Sequence, residues 1–281
     1  MKVYVQTDIE GVAGVTFFEK PDDPSVENAL HRRRMRRLLT GEVNAAVAAA
    51  LESGASEVIV NDSHGSGYNI VFEDLDPRCE IIHGRNCSGP HWLPEFDSSC
   101  DALLLVGMHA MGGTRNAVLP HSRWEVKGGE IYLSEATMAA ALAGDRDVPT
   151  VFVSGDDKVC GEVREKIPGI SCAQVKKALG AYQARSLIPA RSRELISQGV
   201  REALGRRKEI PPYRINGPLK LNLLDSPDHS PPLRPVLDEA VEADTMEEAF
   251  MKALRLMPWN NFNVELPDGF EYPMMGESEA R

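Results

Sequence analysis

Cysteine is scarce in this sequence and is not arranged for cross-linking or for zinc. The five cysteines are odd in number, and no two of them form a C-x-x-C pair. A disulfide framework and a cysteine-rich zinc site are therefore both poor interpretations. We expect reduced, mostly buried thiols, as is usual in a cytoplasmic protein.

Long apolar runs and an excess of positive charge are missing as well. No stretch approaches the roughly 20 apolar residues that a membrane span requires, and polar Asp8 comes too early for a signal peptide. Lys and Arg number 31 against 42 Asp and Glu, which gives a formal net charge of -11 at pH 7. The short basic run at 31–37 fits one solvated face of a helix. The sequence therefore predicts a cytoplasmic protein that binds neither nucleic acid nor membrane.

Several common catalytic signatures are also absent. No glycine-rich motif of the type that binds phosphates or dinucleotides follows a predicted strand, so nucleotide use is not indicated. Neither a G-x-S-x-G elbow nor an H-E-x-x-H helix occurs, which argues against the serine hydrolases and the common zinc proteases.

The 281 residues do contain an alternation of short apolar strands and helical segments. The pattern predicts strands at 2–7, 57–61, 80–83, 101–107 and 150–154, and helices at 36–51 and 135–142. A strand, a helix and a strand in that order form a right-handed crossover, so the first two strands should be parallel. The predicted fold class is α/β, with a mostly parallel sheet flanked by helices.

The character of the chain changes near residue 188. A charged helix is predicted at 190–207, a strand at 219–224 and another helix at 245–256. We therefore expect an α/β metal-binding catalytic domain at 1–187, a smaller α+β subdomain at 188–270 and a weakly held tail at 271–281.

Metal-binding residue types recur at the predicted carboxyl ends of the strands and at one helix start, where open α/β sheets bind their ligands. Gly11 allows a sharp turn after the first strand, and Ser134 reads as an N-cap. Three carboxylates and two imidazoles share this placement: Asp8, Glu10, His64, His109 and Glu135. Taken singly, each also fits an ordinary turn carboxylate, a loop histidine or a first-turn helix residue.

Five ligands are too many for one catalytic zinc that keeps a position open for water. They fit two metals that share a bridging carboxylate. Asp8, which follows the central strand, is the best-placed bridge.

Two further positions allow more than one interpretation. His121 suits a general acid–base, a group that binds an oxyanion, or a plain surface histidine, and its spacing does not choose among them. Asp156 and Asp157 either close the site or cap the following helix, and the cap is favoured. The other histidines are interpreted as structural: His31, His83, His91 and His229.

Together these motifs resemble those of the DppA-type D-aminopeptidase family, in the family's order. They are Asp8-x-Glu10-Gly11, Asn61-Asp62-Ser63-His64 with Asn69, Gly107-x-His109-Ala110, Pro120-His121-Ser122, Glu135 at a helix start, and Gly155-Asp156-Asp157. The resemblance covers roughly residues 1–260.

The resemblance implies an aminopeptidase with two zinc ions per subunit, active on short peptides with an N-terminal D-residue such as D-Ala-D-Ala. It implies a ring-shaped, decamer-like homo-oligomer whose sites face an inner channel. It carries the zinc ligands onto the five residues above, with Asp8 as the bridge, and the catalytic histidine onto His121. The segment between His121 and Glu135 is shorter than the family pattern, so the substrate pocket is not implied.

Two alternatives stay open. Two-metal sites also serve phosphoesterases, for which Arg115 and Lys158 are the nearest candidate phosphate-binding cations. The second alternative is a non-catalytic protein that binds metal or peptide, because a fold does not by itself determine a function.

Overall fold

The chain alternates strands and helices through most of its length. In a computed structural model, the described residues are 1–20, 23–65, 67–84, 92–226, 229 and 231–257. In chain order the elements are β1 (Lys2–Thr7), α1 (Val26–Glu52), β2 (Glu57–Asn61), β3 (Glu80–Ile82), β4 (Ala102–Met108), β5 (Arg123–Val126), β6 (Ile131–Leu133), α2 (Glu135–Asp145), β7 (Thr150–Asp156), α3 (Asp157–Lys166), β8 (Ser171–Gly180), β9 (Gln183–Ser186), α4 (Pro189–Gly205), β10 (Leu219–Asp225), β11 (Arg234–Pro235), β12 (Val241–Ala243) and α5 (Met246–Leu256).

A seven-stranded sheet in the order β3-β2-β1-β4-β7-β8-β9 forms the larger part of the molecule. Only β9 runs antiparallel to its neighbour among these strands. The predicted parallel pairing of the first two strands is confirmed, with Lys2 opposite Glu57 and Gln6 opposite Asn61. Every residue of β4 and β7 is buried, as expected for strands covered on both faces. The α/β fold class is therefore confirmed.

Strands β8 and β9 were not predicted from the sequence. In β8 buried and exposed residues alternate over much of its length, but Lys176 occupies a buried position and Lys177 an exposed one. Two adjacent lysines hide the apolar alternation by which a half-buried strand is recognised.

Helix α1 begins at Val26, ten residues before the pattern indicated, and its N-cap Ser25 accepts a hydrogen bond from the backbone N–H of Asn28. The early turns are rich in arginine and bury few side chains, so they give no apolar periodicity. No helix in the described ranges combines the length and the apolar character that a membrane span requires.

A second, antiparallel sheet has the order β11-β10-β5-β6, with β12 also paired to β10. Strands β5 and β6 form a hairpin, with Gly128 and Gly129 at positive φ in its turn. This sheet and α5 enclose a core of their own around Trp124 and Phe250. Helix α2 lies between the two cores, because Ala139 packs into the larger and Met138 into the smaller.

The two sheets are interleaved along the chain. The smaller sheet takes β5 and β6 from inside the range 1–187, while α4 packs on α1, with Ser197 Oγ donating to the carbonyl of Ala45 at 3.0 Å. The predicted division at 187/188 stays a prediction, and the predicted tail at 271–281 lies outside the described residues.

Candidate metal centre

The carboxyl ends of three neighbouring strands bring the predicted ligands together. Asp8 directly follows β1, which lies between β2 and β4 in the sheet. His64 follows β2 by three residues, and His109 directly follows β4. Because parallel strands end at one edge, side chains far apart in sequence meet there.

Asp8, Glu10 and His64 form the first ligand group. His64 Nδ1 lies 3.0 Å from Asp8 Oδ1 and 3.3 Å from Glu10 Oε2. Both carboxylates are buried. Two carboxylates and one imidazole in this arrangement are a plausible cation site.

His109, His121 and Glu135 form the second ligand group. Glu135 Oε1 lies 3.6 Å from His109 Nε2 and 3.9 Å from His121 Nε2. The ligand atoms of each group lie within 4.8 Å of one another. His121, predicted as a catalytic residue, is thus also in reach of a metal.

Asp8 faces both groups. Its Oδ1 lies next to His64, and its Oδ2 lies 3.6 Å from His109 Nε2. One carboxylate with an oxygen toward each group has the placement that a bridge between two metals requires.

The buried polar atoms of the site test whether these residues fit a metal. Within the described chain, Asp8 Oδ2, Glu10 Oε2 and His109 Nε2 are buried without a hydrogen-bond partner. Such atoms are rare in folded proteins. His109 Nδ1 lies 2.7 Å from the carbonyl of Ala110, which only accepts, so Nδ1 carries a proton and the Nε2 of the neutral ring presents a lone pair to a metal. Oxygen and nitrogen lone pairs directed at one space fit zinc.

The charges in the first group are strongly coupled. Burial, together with the charge of Glu10, raises the pKa of Asp8 to about 7. Burial also opposes the ionisation of Glu10, but the neighbouring His64 outweighs it and lowers the pKa of Glu10 well below its ordinary value. Burial disfavours the charged form of His64, yet the same carboxylates raise its pKa well above its ordinary value. A proton shared by these groups therefore supplies the positive charge that a metal would supply.

The second group shows the same compensation. Burial disfavours both charged forms, but mutual pairing raises the pKa of His109 to about 10 and lowers that of Glu135 to about 2. Metal binding to such groups must displace protons, because ligating imidazoles are neutral.

Gly11 and Gly107 allow the backbones to approach closely beneath the site. A Cβ on Gly11 would lie 2.0 Å from the carbonyl oxygen of Met108, and one on Gly107 would lie 2.2 Å from that of Asp8. Gly11 was predicted to allow a sharp turn. Of these two glycines, however, Gly107 is the one with a positive φ. Gly11 is needed for space, and its N–H donates to the carbonyl of Gly107 at 2.7 Å.

The loop that presents His64 is closed by its own side chains. The Asp62 carboxylate accepts from the backbone N–H groups of Asn69 and Ile70 at 2.6 and 2.9 Å, and from Asn69 Nδ2 at 2.9 Å. Ser63 Oγ donates to the carbonyl of Thr7 at 2.6 Å. The Asn-Asp-Ser-His motif thus ties the end of β2 to the end of β1.

His121 is held by a strained stretch of backbone. Leu119 and Ser122 on either side have φ of 50° and 54°, a conformation that non-glycine residues rarely adopt and that is often found at functional sites. The His121 ring stacks on His109 with centroids 3.8 Å apart, and its Nδ1 lies 3.0 Å from the carbonyl of Leu119. Burial and the charge of His109 lower the pKa of His121 to about 4. Its Nε2 is therefore an unprotonated acceptor near neutral pH.

The cap predicted for Asp156 is confirmed. Its Oδ1 accepts from the N–H groups of Lys158 and Val159, both at 2.9 Å, and its Oδ2 from that of Val118 at 3.0 Å. Lys158 Nζ pairs with Asp157 at 3.2 Å, so the phosphate-binding role considered for this lysine has no support in these contacts.

Sequence reasoning missed several residues around the centre. His229, interpreted as structural, has its ring centroid 4.9 Å from that of His121. Glu19 Oε2 lies 3.6 Å from His64 Nε2 and its Oε1 accepts from Arg32 at 2.6 Å. No motif marked these residues, because each comes to the site only through tertiary contacts. The predicted structural role of His91 falls outside the described residues.

A cavity of about 220 Å³ opens onto the two ligand groups. A larger one, about 770 Å³, shares Ser63, Gly65, Trp92 and Glu135 with it and extends between the two sheets. Its walls include the side chains of Phe96, Trp124, Leu223 and Phe250. The space beside the centre is therefore partly apolar and large enough for a small peptide.

Comparison with known proteins identifies the family. The D-aminopeptidase family model matches residues 1–228. The chain belongs to the D-aminopeptidase family. It is 31% identical over 245 residues to the D-aminopeptidase of Bacillus subtilis strain 168, which covers 84% of this chain and 80% of that protein. This membership identifies the chain as a metallo-aminopeptidase, a hydrolase.

A solved structure agrees with this assignment. The Zn-dependent D-aminopeptidase DppA from Bacillus subtilis, described as a self-compartmentalizing protease, superimposes with a TM-score of 0.79 at 25% sequence identity. The match covers 95% of this chain and 100% of that one. The likeness therefore extends through both sheets.

Proposed function

We propose that this D-aminopeptidase family member uses two zinc ions to hydrolyse short peptides with an N-terminal D-residue, such as D-Ala-D-Ala. Asp8, Glu10, His64, His109 and Glu135 hold the ions, with Asp8 as the bridge. The observation that carries the proposal is the placement of Asp8, whose two oxygens face the two ligand groups. The zinc dependence of the similar DppA structure supports the choice of metal.

Zinc bound at these residues supplies Lewis-acid activation of a water and of the scissile carbonyl. The protein's own contribution to proton transfer falls to His121. With Nδ1 held by the carbonyl of Leu119, Nε2 accepts a proton and, once protonated, donates it to the leaving amine or stabilises the oxyanion. Burial, the larger cause of the low pKa of His121, favours its neutral form whether or not His109 is charged, so Nε2 is free to accept at neutral pH.

The partly apolar cavity between the sheets provides room for the peptide next to this histidine. Trp92 lines both the larger cavity and the space at the ligand groups, so a substrate side chain that enters the larger one lies beside the metals. We propose further that the chain assembles into a ring-shaped homo-oligomer, which the description of DppA as self-compartmentalizing supports.

Metal content and a substrate panel test the function together. Purified protein should contain about two zinc ions per chain, and a chelator should abolish activity while far-UV circular dichroism stays unchanged, because the large core does not depend on the metal. D-Amino-acyl p-nitroanilides should be cleaved faster than their L-counterparts. Matched panels with one and two D-residues would define the preferred peptide.

The same panel decides between this function and the alternatives. Faster cleavage of p-nitrophenyl phosphate than of any amide would replace the proposal with a two-metal phosphoesterase. Zinc binding without turnover of any member would indicate a binding protein. Size-exclusion chromatography with light scattering tests the assembly separately, and a monomer would contradict the ring.

A further inference from the structure

The loop after β1 carries two of the proposed metal ligands but contains neither helix nor strand. This β1 loop, residues 8–15, begins at Asp8 and includes Glu10. All but one of its residues are buried. The carbonyl groups of its buried residues need partners inside the protein. Those partners decide the shape in which the loop presents its carboxylates.

Lys176 on β8 supplies these partners from the other end of the chain. Its ammonium group donates to the carbonyl oxygens of Val12 at 3.1 Å and Val15 at 2.7 Å, and also to that of Glu10. A lysine ammonium has three N–H donors, so the three carbonyls take all of them. A neutral amine would have only two, so the geometry requires the charged form.

Glu42 on α1 holds the same loop through its other backbone group. Its Oε1 accepts from the N–H of Ala13 at 3.1 Å, and the side chain is buried. A basic and an acidic side chain therefore hold one short loop. Glu42, Asp8, Glu10 and Asp156 are the acidic groups whose charges act on Lys176.

Burying an ammonium group is energetically unfavourable, so packing alone does not explain a lysine at position 176. Taking the charge out of water is unfavourable unless hydrogen bonds and opposite charges compensate, and Lys176 is only 2% exposed. Methionine would occupy a similar volume without that cost. Methionine has no N–H donor, however, so it cannot hold the three carbonyl groups that point toward this position.

We propose that Lys176 is a positioning residue that holds the β1 loop in its metal-binding shape before any metal is bound. This inference rests on the proposed zinc site, because the loop's shape matters through Asp8 and Glu10. Without the ammonium, the carbonyl of Glu10 loses its partner and the carboxylate of the same residue loses its fixed direction. The metal must then order the ligands as it binds, and the free energy that this ordering requires lowers the metal affinity.

Lys176→Met tests the proposal, with Lys177→Met as the matched control. The control changes the exposed neighbouring lysine on the same strand. Zinc affinity is measured on metal-free protein by competition with a chromophoric chelator. We expect Lys176→Met to bind zinc about 10- to 100-fold more weakly and Lys177→Met to match the unmodified protein. Unchanged zinc affinity in Lys176→Met, whatever happens to its melting temperature, would overturn the proposal.

Hydrogen exchange on the unmodified metal-free protein supplies a measurement that needs no variant. Backbone amides of the β1 loop should already be protected without zinc, to a degree that zinc increases little. If these amides exchange freely until zinc is added, the metal and not Lys176 orders the loop. In Lys176→Met, or in Lys176→Gln if the first variant does not fold, exchange should rise in this loop and not in β2.

The outcomes separate this inference from the proposed function. A protein that cleaves D-peptides with zinc, yet loses no zinc affinity on Lys176→Met, keeps its function and rejects the positioning role. A protein that binds no zinc at all rejects the proposed function, and the exchange experiment on the metal-free loop still decides whether Lys176 holds it.

Discussion

The two ligand groups of the candidate metal centre are built in different ways. Asp8 and Glu10 of the first group lie on a loop that is held from outside by buried side chains of α1 and β8. In the second group, His109 directly follows a buried strand, and Glu135 is the first residue of a capped helix. Regular elements therefore place His109 and Glu135, whereas buried polar side chains hold the loop that carries Asp8 and Glu10.

The charges of the two groups differ as well. The first has two carboxylates and one imidazole, and the second has one carboxylate and two imidazoles. We expect the first to bind a divalent cation more tightly, because it carries more negative charge. The second contains the neutral His121, which suits it for proton transfer.

Asp8→Asn should have the largest effect, because this residue joins the two groups. Asparagine keeps the shape but removes the charge and the bridging oxygen. We expect activity to fall by about 1,000-fold or more and zinc content to fall below one per chain. The measurements are p-nitroanilide turnover and elemental analysis.

Glu10→Gln is the comparison for this change, because Glu10 faces only the first group. It should lose one zinc and retain the other. Two zinc ions retained in Asp8→Asn would show that the groups are independent sites.

His121→Ala distinguishes a proton-transfer role of His121 from a role as a metal ligand. We expect a fall in activity of about 100- to 10,000-fold, with zinc content unchanged. His109→Ala, which removes the stacked neighbour, should lose zinc as well. Loss of zinc in both variants would make His121 a ligand, a role that its distance to Glu135 also allows.

The sequence predicted where the ligands of both groups lie, because their positions depend on local features of the chain. Strand ends and helix caps are local features, so His109 and Glu135 were placed on the right elements, and Ser134 caps α2 as the pattern indicated. Asp8, Glu10 and His64 were predicted as ligands in the same way, from the ends of β1 and β2. Convergence at one sheet edge then followed from parallel topology alone.

What holds the first group could not be predicted. Lys176 meets the β1 loop across more than 160 residues of chain, and a lysine in a strand is expected to be exposed. The same lysine interrupts the apolar alternation of β8, so that strand was not predicted. Glu42 looked like one more charged residue on a long helix, and His229, which lies between β10 and β11 in the chain, contacts His121 across more than 100 residues. Contacts of this kind have no periodicity and leave no signal in a single sequence.

Glu42→Gln tests the electrostatics behind the first group through pH. Burial raises the pKa of Glu42 to about 7 from its ordinary 4.5. Between these values the folded chain holds a proton that the unfolded chain has released, so the contribution of Glu42 to stability falls as pH rises through this window. Glutamine keeps the acceptor for Ala13 but cannot ionise. The variant should therefore match the unmodified protein near pH 4 and be more stable at pH 8, by about 1–3 kcal/mol.

Urea denaturation of the metal-free proteins across this range measures the difference. Glu52→Gln, at an exposed position on the same helix, gives the baseline for removing a surface carboxylate. Lower stability of Glu42→Gln at pH 8 would mean that the ionised carboxylate is needed as a countercharge to Lys176.

Ser134→Ala tests the regular half of the site and should have the smallest effect. Ser134 Oγ accepts from the N–H of Thr137 at 3.3 Å at the start of α2, and Thr245 Oγ1 accepts from that of Glu248 at 3.2 Å at the start of α5. Removing either cap should lower the free energy of unfolding by about 1 kcal/mol. Only the first frays the turn that carries Glu135, so only Ser134→Ala should also weaken zinc binding, by a few-fold, with the loss confined to one of the two ions. Equal zinc titrations for the two variants would show that Glu135 is held by its packing between the two cores and not by the cap, and the second group would then depend on tertiary contacts as fully as the first.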